Sequence, residues 1–201
     1  HGLSQAPDFF FGRDVEDTSD SRDWIIYHKS IGNTGRLKFT NDSTSTSSTF
    51  FQDTSPTNSL ITVGTSNDIN STNDYVLYCW HDVPGLQKFG KYSGNQNADG
   101  TYVELGFRPT LLWIKSTSVG GSGYSWYIHD SERSKVNPTK LDLKADVSAG
   151  DVSTTRFDFL SNGFKIRGAN LDMNDSGETF IYCAWAEAPT IDLFGGGANA
   201  R

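Results

Sequence analysis

Apolar positions recur with period two along most of this chain. In YVLYCW (75–80), Tyr75, Leu77 and Cys79 share one face of an extended segment, and Val76, Tyr78 and Trp80 share the other. Both faces are apolar, the pattern of a strand buried on both sides, and FIYCAW (180–185) reads the same way. Short β-branched and aromatic runs like these are separated by clusters of Gly, Asn, Asp, Ser and Thr, as in VGTSNDINSTND (63–74) and RGANLDMNDSGE (167–178). Apart from a turn near Asp130–Lys135, no window carries a helical stripe. The pattern predicts an all-β chain of antiparallel β-sandwich, jelly-roll-like modules and argues against a parallel α/β fold, which needs crossover helices. The polar run NDSTSTSST (41–49) reads as a solvated loop, or as a short strand beside equivalent copies in an oligomer.

The pattern is also written twice. APDFFFGR (6–13) matches RPTLLWIK (108–115), and DWIIYHKS (23–30) matches SWYIHDSE (125–132). GRLKFTND (35–42) matches TKLDLKAD (139–146), setting Leu37 and Phe39 opposite Leu141 and Leu143. NSLITVG (58–64) matches NGFKIRG (162–168), and YVLYCWHDVPGLQKFG (75–90) matches FIYCAWAEAPTIDLFG (180–195). The five blocks keep their order at offsets of 102, 102, 104, 104 and 105. Self-similarity of this kind predicts two tandem homologous modules, residues 1–91 and 92–201, the second with a C-terminal tail. GTYVELGF (100–107) reads as a strand leading into the second module. Its counterpart in the first would precede residue 1, so the expectation is a longer natural protein with a Y-x-G-N strand upstream.

Composition narrows the function classes. Of 201 residues, 13% are aromatic and 20% charged, a globular composition with room for a sizeable core. The net charge is −7 and the 17 Lys and Arg are scattered, which argues against nucleic acid or an anionic membrane as partner. No apolar run is long enough for a membrane-spanning helix. The two cysteines, Cys79 and Cys183, are too few for a disulfide framework and read as buried thiols, with a bridge between them possible but unforced.

Candidate chemistry lies in the turns. The acidic stretch GRDVEDTSDSRD (12–23) offers Asp14, Glu16, Asp17 and Asp20 as calcium ligands, since calcium takes six to eight oxygens, although the spacing matches no defined calcium loop. DMNDSG (172–177) begins like such a loop but has Cys183 where a bidentate Glu is required, and reads as a turn. In the loop equivalent to the acidic one, GGSGYSWY (120–127), Gly121, Ser122 and Gly123 expose backbone and Tyr124 presents a flat ring, a combination suited to a sugar. Trp126 repeats Trp24 and reads as core. His81 has Ala186 as its counterpart and reads as a strand-end residue making local hydrogen bonds. No GxSxG, HExxH, P-loop or GxGxxG fingerprint is present, so the chain is read as non-enzymatic.

HGLSQAPDF, WIIYHKS, YCWHDVPGLQKFG, YSGNQNADGTYVELGFRP, WYIHDSERS, DFLSNGFKIRG, TFIYCAWAEAP and the terminal ANAR together carry a resemblance. In motif order and internal duplication, over essentially the whole chain, they resemble an uncharacterised repeat domain of tail-fibre and other virion-surface proteins of tailed phages, especially phages of marine bacteria and cyanobacteria. FFFGRD (9–14), His81 and the Ser/Thr-rich segments depart from the usual pattern. The resemblance carries no catalytic residues. It implies a virion-surface location, other virion proteins as partners and a homotrimeric assembly. The expected function is a tail-fibre-type appendage whose distal loops bind a host-surface glycan. The alternatives are a capsid or tail decoration protein without a receptor and, more remotely, a polysaccharide-degrading enzyme. Calcium is the one cofactor entertained.

Overall fold

In a computed structural model, residues 1–17, 22–121 and 124–187 are described. They form thirteen strands and two single-turn helices. The strands are β1 (Phe9–Asp14), β2 (Ile25–His28), β3 (Gly35–Lys38), β4 (Ser45–Thr46), β5 (Tyr75–Trp80), β6 (Gln87–Ser93), β7 (Tyr102–Glu104), β8 (Leu111–Ser116), β9 (Tyr127–Asp130), β10 (Thr139–Lys144), β11 (Val152–Leu160), β12 (Gly163–Ile166) and β13 (Thr179–Trp185). The helices are α1 (Ser48–Phe51) and α2 (Leu171–Asn174). All pairing is antiparallel, in a five-stranded sheet ordered β4-β3-β2-β1-β5 and an eight-stranded sheet ordered β6-β13-β8-β9-β10-β11-β12-β7. The larger sheet curls nearly into a barrel: across the gap between its end strands, Lys88 Nζ donates to the Glu104 carbonyl at 2.9 Å and Thr101 Oγ1 to the Ser93 carbonyl at 2.8 Å. The molecule is thus all-β, as the period-two pattern requires, but its two sheets differ in size and closure.

Strand alternation explains the packing. Phe9 and Phe11 point to one side of β1 and Phe10 to the other, so three consecutive Phe serve two cores. Phe10 joins Ile25, Tyr27 and Ile69 under Phe50 and Phe51 of α1, whose N-cap Ser47 accepts from Thr49 N at 3.2 Å. Inside the larger sheet, Leu112 and Ile114 meet Phe157, Phe164, Phe180 and Tyr182. Between the sheets lies a third, aromatic core to which both contribute. Phe9 stacks on Phe89 at 5.4 Å between centroids, Phe11 lies 6.4 Å from Trp113, and Trp80 meets Trp185 edge-on at 6.2 Å. His28 crosses the same interface: its Nε2–H donates to the Tyr182 carbonyl at 3.1 Å while Nδ1 accepts from Ser30 N, which fixes a neutral tautomer. Burial pushes this imidazole down to about 4, with the neighbouring Lys29 charge adding to the shift and the Tyr182 bond opposing it.

Registers recur between the sheets. Phe9 lies opposite His28 and Trp80, and Leu111 opposite Asp130 and Trp185. Asn70 Nδ2 donates to the Gly64 carbonyl at 2.6 Å, and Asn174 Nδ2 to the Gly168 carbonyl at 2.8 Å. One sequence match needs correction. Leu37 pairs with Ile26 as Leu143 pairs with Ile128, so Leu143, not Leu141, holds the place of Leu37. Because side chains alternate with period two, a shift of two residues preserves the pattern and leaves it ambiguous. The boundary expected after residue 91 falls inside β6, which pairs throughout with β13. β13 is buried from Phe180 to Ala184, as the doubly buried reading has it, whereas in β5 Leu77 is 39% and Tyr78 47% exposed, against that reading. The Ser/Thr run is neither all loop nor all strand: it divides into β4 and the capped start of α1. Both cysteines are free thiols.

Candidate functional site

Four connections converge at one end of the sheets around the segment after β8. Gly121 N donates to the Asn41 carbonyl at 2.9 Å, and Thr44 N to the Thr117 carbonyl at 2.9 Å, which joins the β3–β4 connection to it. Ser118 Oγ donates to Glu178, Thr117 N donates to the Thr179 carbonyl, and Tyr124 Oη reaches Asp175 Oδ2 at 3.5 Å, which joins the α2–β13 connection. Ser125 Oγ donates to Asp146 at 3.0 Å, which adds the β10–β11 connection. Gly121 has φ +104°, a conformation that side chains rarely adopt, so glycine is favoured at this position. Tyr124 N donates to the Gly121 carbonyl at 3.1 Å. Of the residues that sequence reading placed here, Gly121 and Tyr124 are brought together, while Ser122 and Gly123 lie outside the described residues.

Sequence reading missed the lysine below. Lys115 ends the apolar run LLWIK, is fully buried, and donates from Nζ to the Tyr124 carbonyl at 2.7 Å. Burial pushes its amine down to about 8, with Asp146 and Asp42 pulling the other way. Burial and the adjacent Asp175 carboxylate push the Tyr124 phenol up, so it is protonated at neutral pH. The half-buried Tyr124 thus stands near Asp175 and Glu178, with Asp146 on the neighbouring Ser125 and Lys115 turned inward to a carbonyl. Carboxylates only accept hydrogen bonds, so this surface suits a ligand rich in hydroxyl donors and disfavours an anion.

The acidic loop has a different use for its first carboxylate. Asp14 is buried; Oδ1 accepts from Glu16 N at 2.9 Å, and Oδ2 accepts from Arg22 Nη1 and from Asn73 Nδ2 at 2.9 Å. Burial alone would raise its carboxyl, but these hydrogen bonds and the Arg22 charge outweigh it and hold the group below the usual range. Asp17 Oδ2 accepts from Arg22 N at 2.8 Å, and Glu16 Oε2 faces Asp74 N at 3.4 Å. Asp20 lies outside the described residues. Among those described, no group of three His, Cys, Asp or Glu side chains converges as a metal site.

Other polar groups hold the scaffold. Asp82 accepts from Phe89 N at 2.8 Å and Lys29 Nζ at 2.6 Å, while His81 Nδ1 sits 2.7 Å from the Asp82 carbonyl, a local contact at a strand end. Arg156 is buried between Asp142 and Asp172, at 2.8 and 2.9 Å, against the Tyr127 ring. Trp126 is buried and donates from Nε1 to the Lys38 carbonyl at 2.8 Å, which ties the larger sheet to β3.

No curated protein and no solved structure matches the chain. A family described as a domain of unknown function, DUF7483, matches residues 1–189. With all but the last twelve residues covered, the chain belongs to the DUF7483 family.

Proposed function

We propose that this chain is a non-enzymatic binding module at the distal end of a phage virion appendage of the tail-fibre type, and that its loop tips bind a neutral host-surface glycan. The observation that carries the proposal is the Tyr124 cluster, where four connections meet and an aromatic ring stands near Asp175 and Glu178, with Asp146 on the adjacent Ser125. A sugar stacks its apolar face on such a ring and donates its hydroxyls to such carboxylates. The likeness of the whole chain to repeat domains of phage tail-fibre and virion-surface proteins supplies the setting. Loops on a rigid scaffold are the usual carriers of recognition. Calcium, taken up at the loop containing Asp14, Glu16, Asp17 and Asp20, is a separate arm of the same proposal.

In this reading the scaffold is a duplicated β module. The matching registers of β1 with β8 and β5 with β13, and the paired Asn70–Gly64 and Asn174–Gly168 bonds, support common descent of the two halves. Multiple copies on one particle, as in a homotrimeric fibre, raise the strength of individually weak sites.

Glycan-array binding of the isolated chain, with and without calcium, tests the proposal. Binding to neutral rather than acidic glycans is expected. Absence of binding in both conditions, or label on the head instead of a fibre tip in cryo-EM of virions, would overturn the receptor role. New reducing ends released from host polysaccharide would overturn the non-enzymatic one.

A further inference from the structure

In β8, Leu112 and Ile114 point into the core of the larger sheet, and Trp113 points the other way, towards the smaller sheet. Alternation places Lys115 on the same face as Trp113, and its register partner Ile181 is fully buried in the core between the sheets. The lysine has none of its surface exposed. Burial of an ammonium group is costly unless it is paired, and Leu or Met would fill such a place without that cost. Among the described residues, the amine donates only to the Tyr124 carbonyl, at 2.7 Å. Two carboxylates are close enough to act on its charge, Asp146 from the β10–β11 connection and Asp42 from the β3–β4 connection. Neither forms an ion pair with it among the described residues, although Asp146 Oδ1 is buried and unpartnered. The charge is directed to the carbonyl instead.

Tyr124 has looser ties of its own. Its N–H donates to the Gly121 carbonyl at 3.1 Å, and its hydroxyl reaches Asp175 at 3.5 Å. The bond from Lys115 is shorter, carries a charge and lies out of water, so it is the strongest of the three. We propose that Lys115 is the positioning residue of the glycan site: its ammonium holds the Tyr124 carbonyl from beneath and so sets the direction of the ring on which a sugar stacks. This inference rests on the glycan reading of the Tyr124 cluster. A ring fixed before binding need not be ordered by the ligand. The hold depends on the proton. Burial pushes the amine down to about 8 against the pull of Asp146 and Asp42, so the charge, and with it the hold, is lost as pH rises through that value. The Tyr124 and Tyr127 phenols are both pushed up by burial and nearby carboxylates and stay protonated there, and Ile181 beside the lysine is uncharged.

Two readouts on the full chain test this, each with Lys115→Met, which keeps the apolar stem and removes the charge. The first follows the ring signal of Tyr124 by NMR in isotope-labelled protein, assigned with Tyr124→Phe, through a pH range centred on about 8. A step at that pH is expected in the unaltered chain and none in Lys115→Met. The second is affinity for the best neutral glycan found on an array. Lys115→Met is expected to bind about tenfold more weakly, the worth of one charge-assisted hydrogen bond. The unaltered chain is expected to weaken alike as pH rises past the step, and Lys115→Arg, which stays charged, to hold its affinity. A ring signal without a step in the unaltered chain overturns the positioning role, and that measurement needs no variant to fold. So does equal glycan affinity in the unaltered chain and Lys115→Met. If no neutral glycan binds, the glycan reading falls instead, and the ring signal still decides whether Lys115 holds Tyr124.

Discussion

At the scale of single residues, the buried His28 links stability to pH. Its folded value, about 4, lies below the ordinary 6.5, so between these values the unfolded chain binds a proton that the folded one excludes. The stability contributed above pH 6.5 is therefore lost as pH falls toward 4, by on the order of 3 kcal/mol for this group. His28→Gln, which retains a donor, is expected to flatten that part of a urea-unfolding series against pH. An unchanged slope would assign the pH dependence to other groups, such as the buried His129. Lys115 and His28 were illegible in the sequence as buried groups: nothing local marks a Lys that bonds a carbonyl nine residues away, or a His that bonds one 154 residues away. Asp14 was legible as acidic but not as buried, because its partners Arg22 and Asn73 come from two different turns. The three Phe of β1 were legible because alternation alone assigns them to two faces.

At the scale of elements, offsets between the repeated blocks located β1, β2, β5, β8, β9 and β13, and they failed by two residues at β3 and β10, where the pattern is blind to an even slip. α1 and α2 were missed because one turn is too short to show a helical period. The turn before β13 shows how an element with little apolar surface is held. Asn174, fully buried, donates to the Asn97 and Gly168 carbonyls at 2.9 and 2.8 Å and accepts from Asn95 N at 2.9 Å. Its counterpart Asn70 makes the one equivalent bond to Gly64. Asn174→Ala is expected to cost about 3 kcal/mol and Asn70→Ala about 1 kcal/mol, since each buried group left unpaired carries its own penalty. Denaturant midpoints of the two variants check the order; equal losses would show that Asn174 does not anchor the 95–97 turn.

At the scale of the molecule, the two sheets behave as one body because the aromatic core between them draws on both. Whether the halves pack together or hang as beads was beyond the sequence, since a strand buried on both sides does not say what buries it. Phe9→Ala removes a fully buried ring that touches Trp80 of one sheet and Phe89 and Trp113 of the other, and is expected to cost about 3–5 kcal/mol. Fluorescence and far-UV dichroism of that variant are expected to report one shared, lowered transition; two separated transitions would mean that the halves are stable alone. The proposed glycan site depends on this rigidity, because the connections around Tyr124 come from both sheets. Its most direct test is the affinity of Tyr124→Ala, against the unaltered chain, for the best neutral glycan found on an array. A loss of tenfold or more with an unchanged unfolding midpoint is the predicted result. Undiminished affinity in the variant would contradict it.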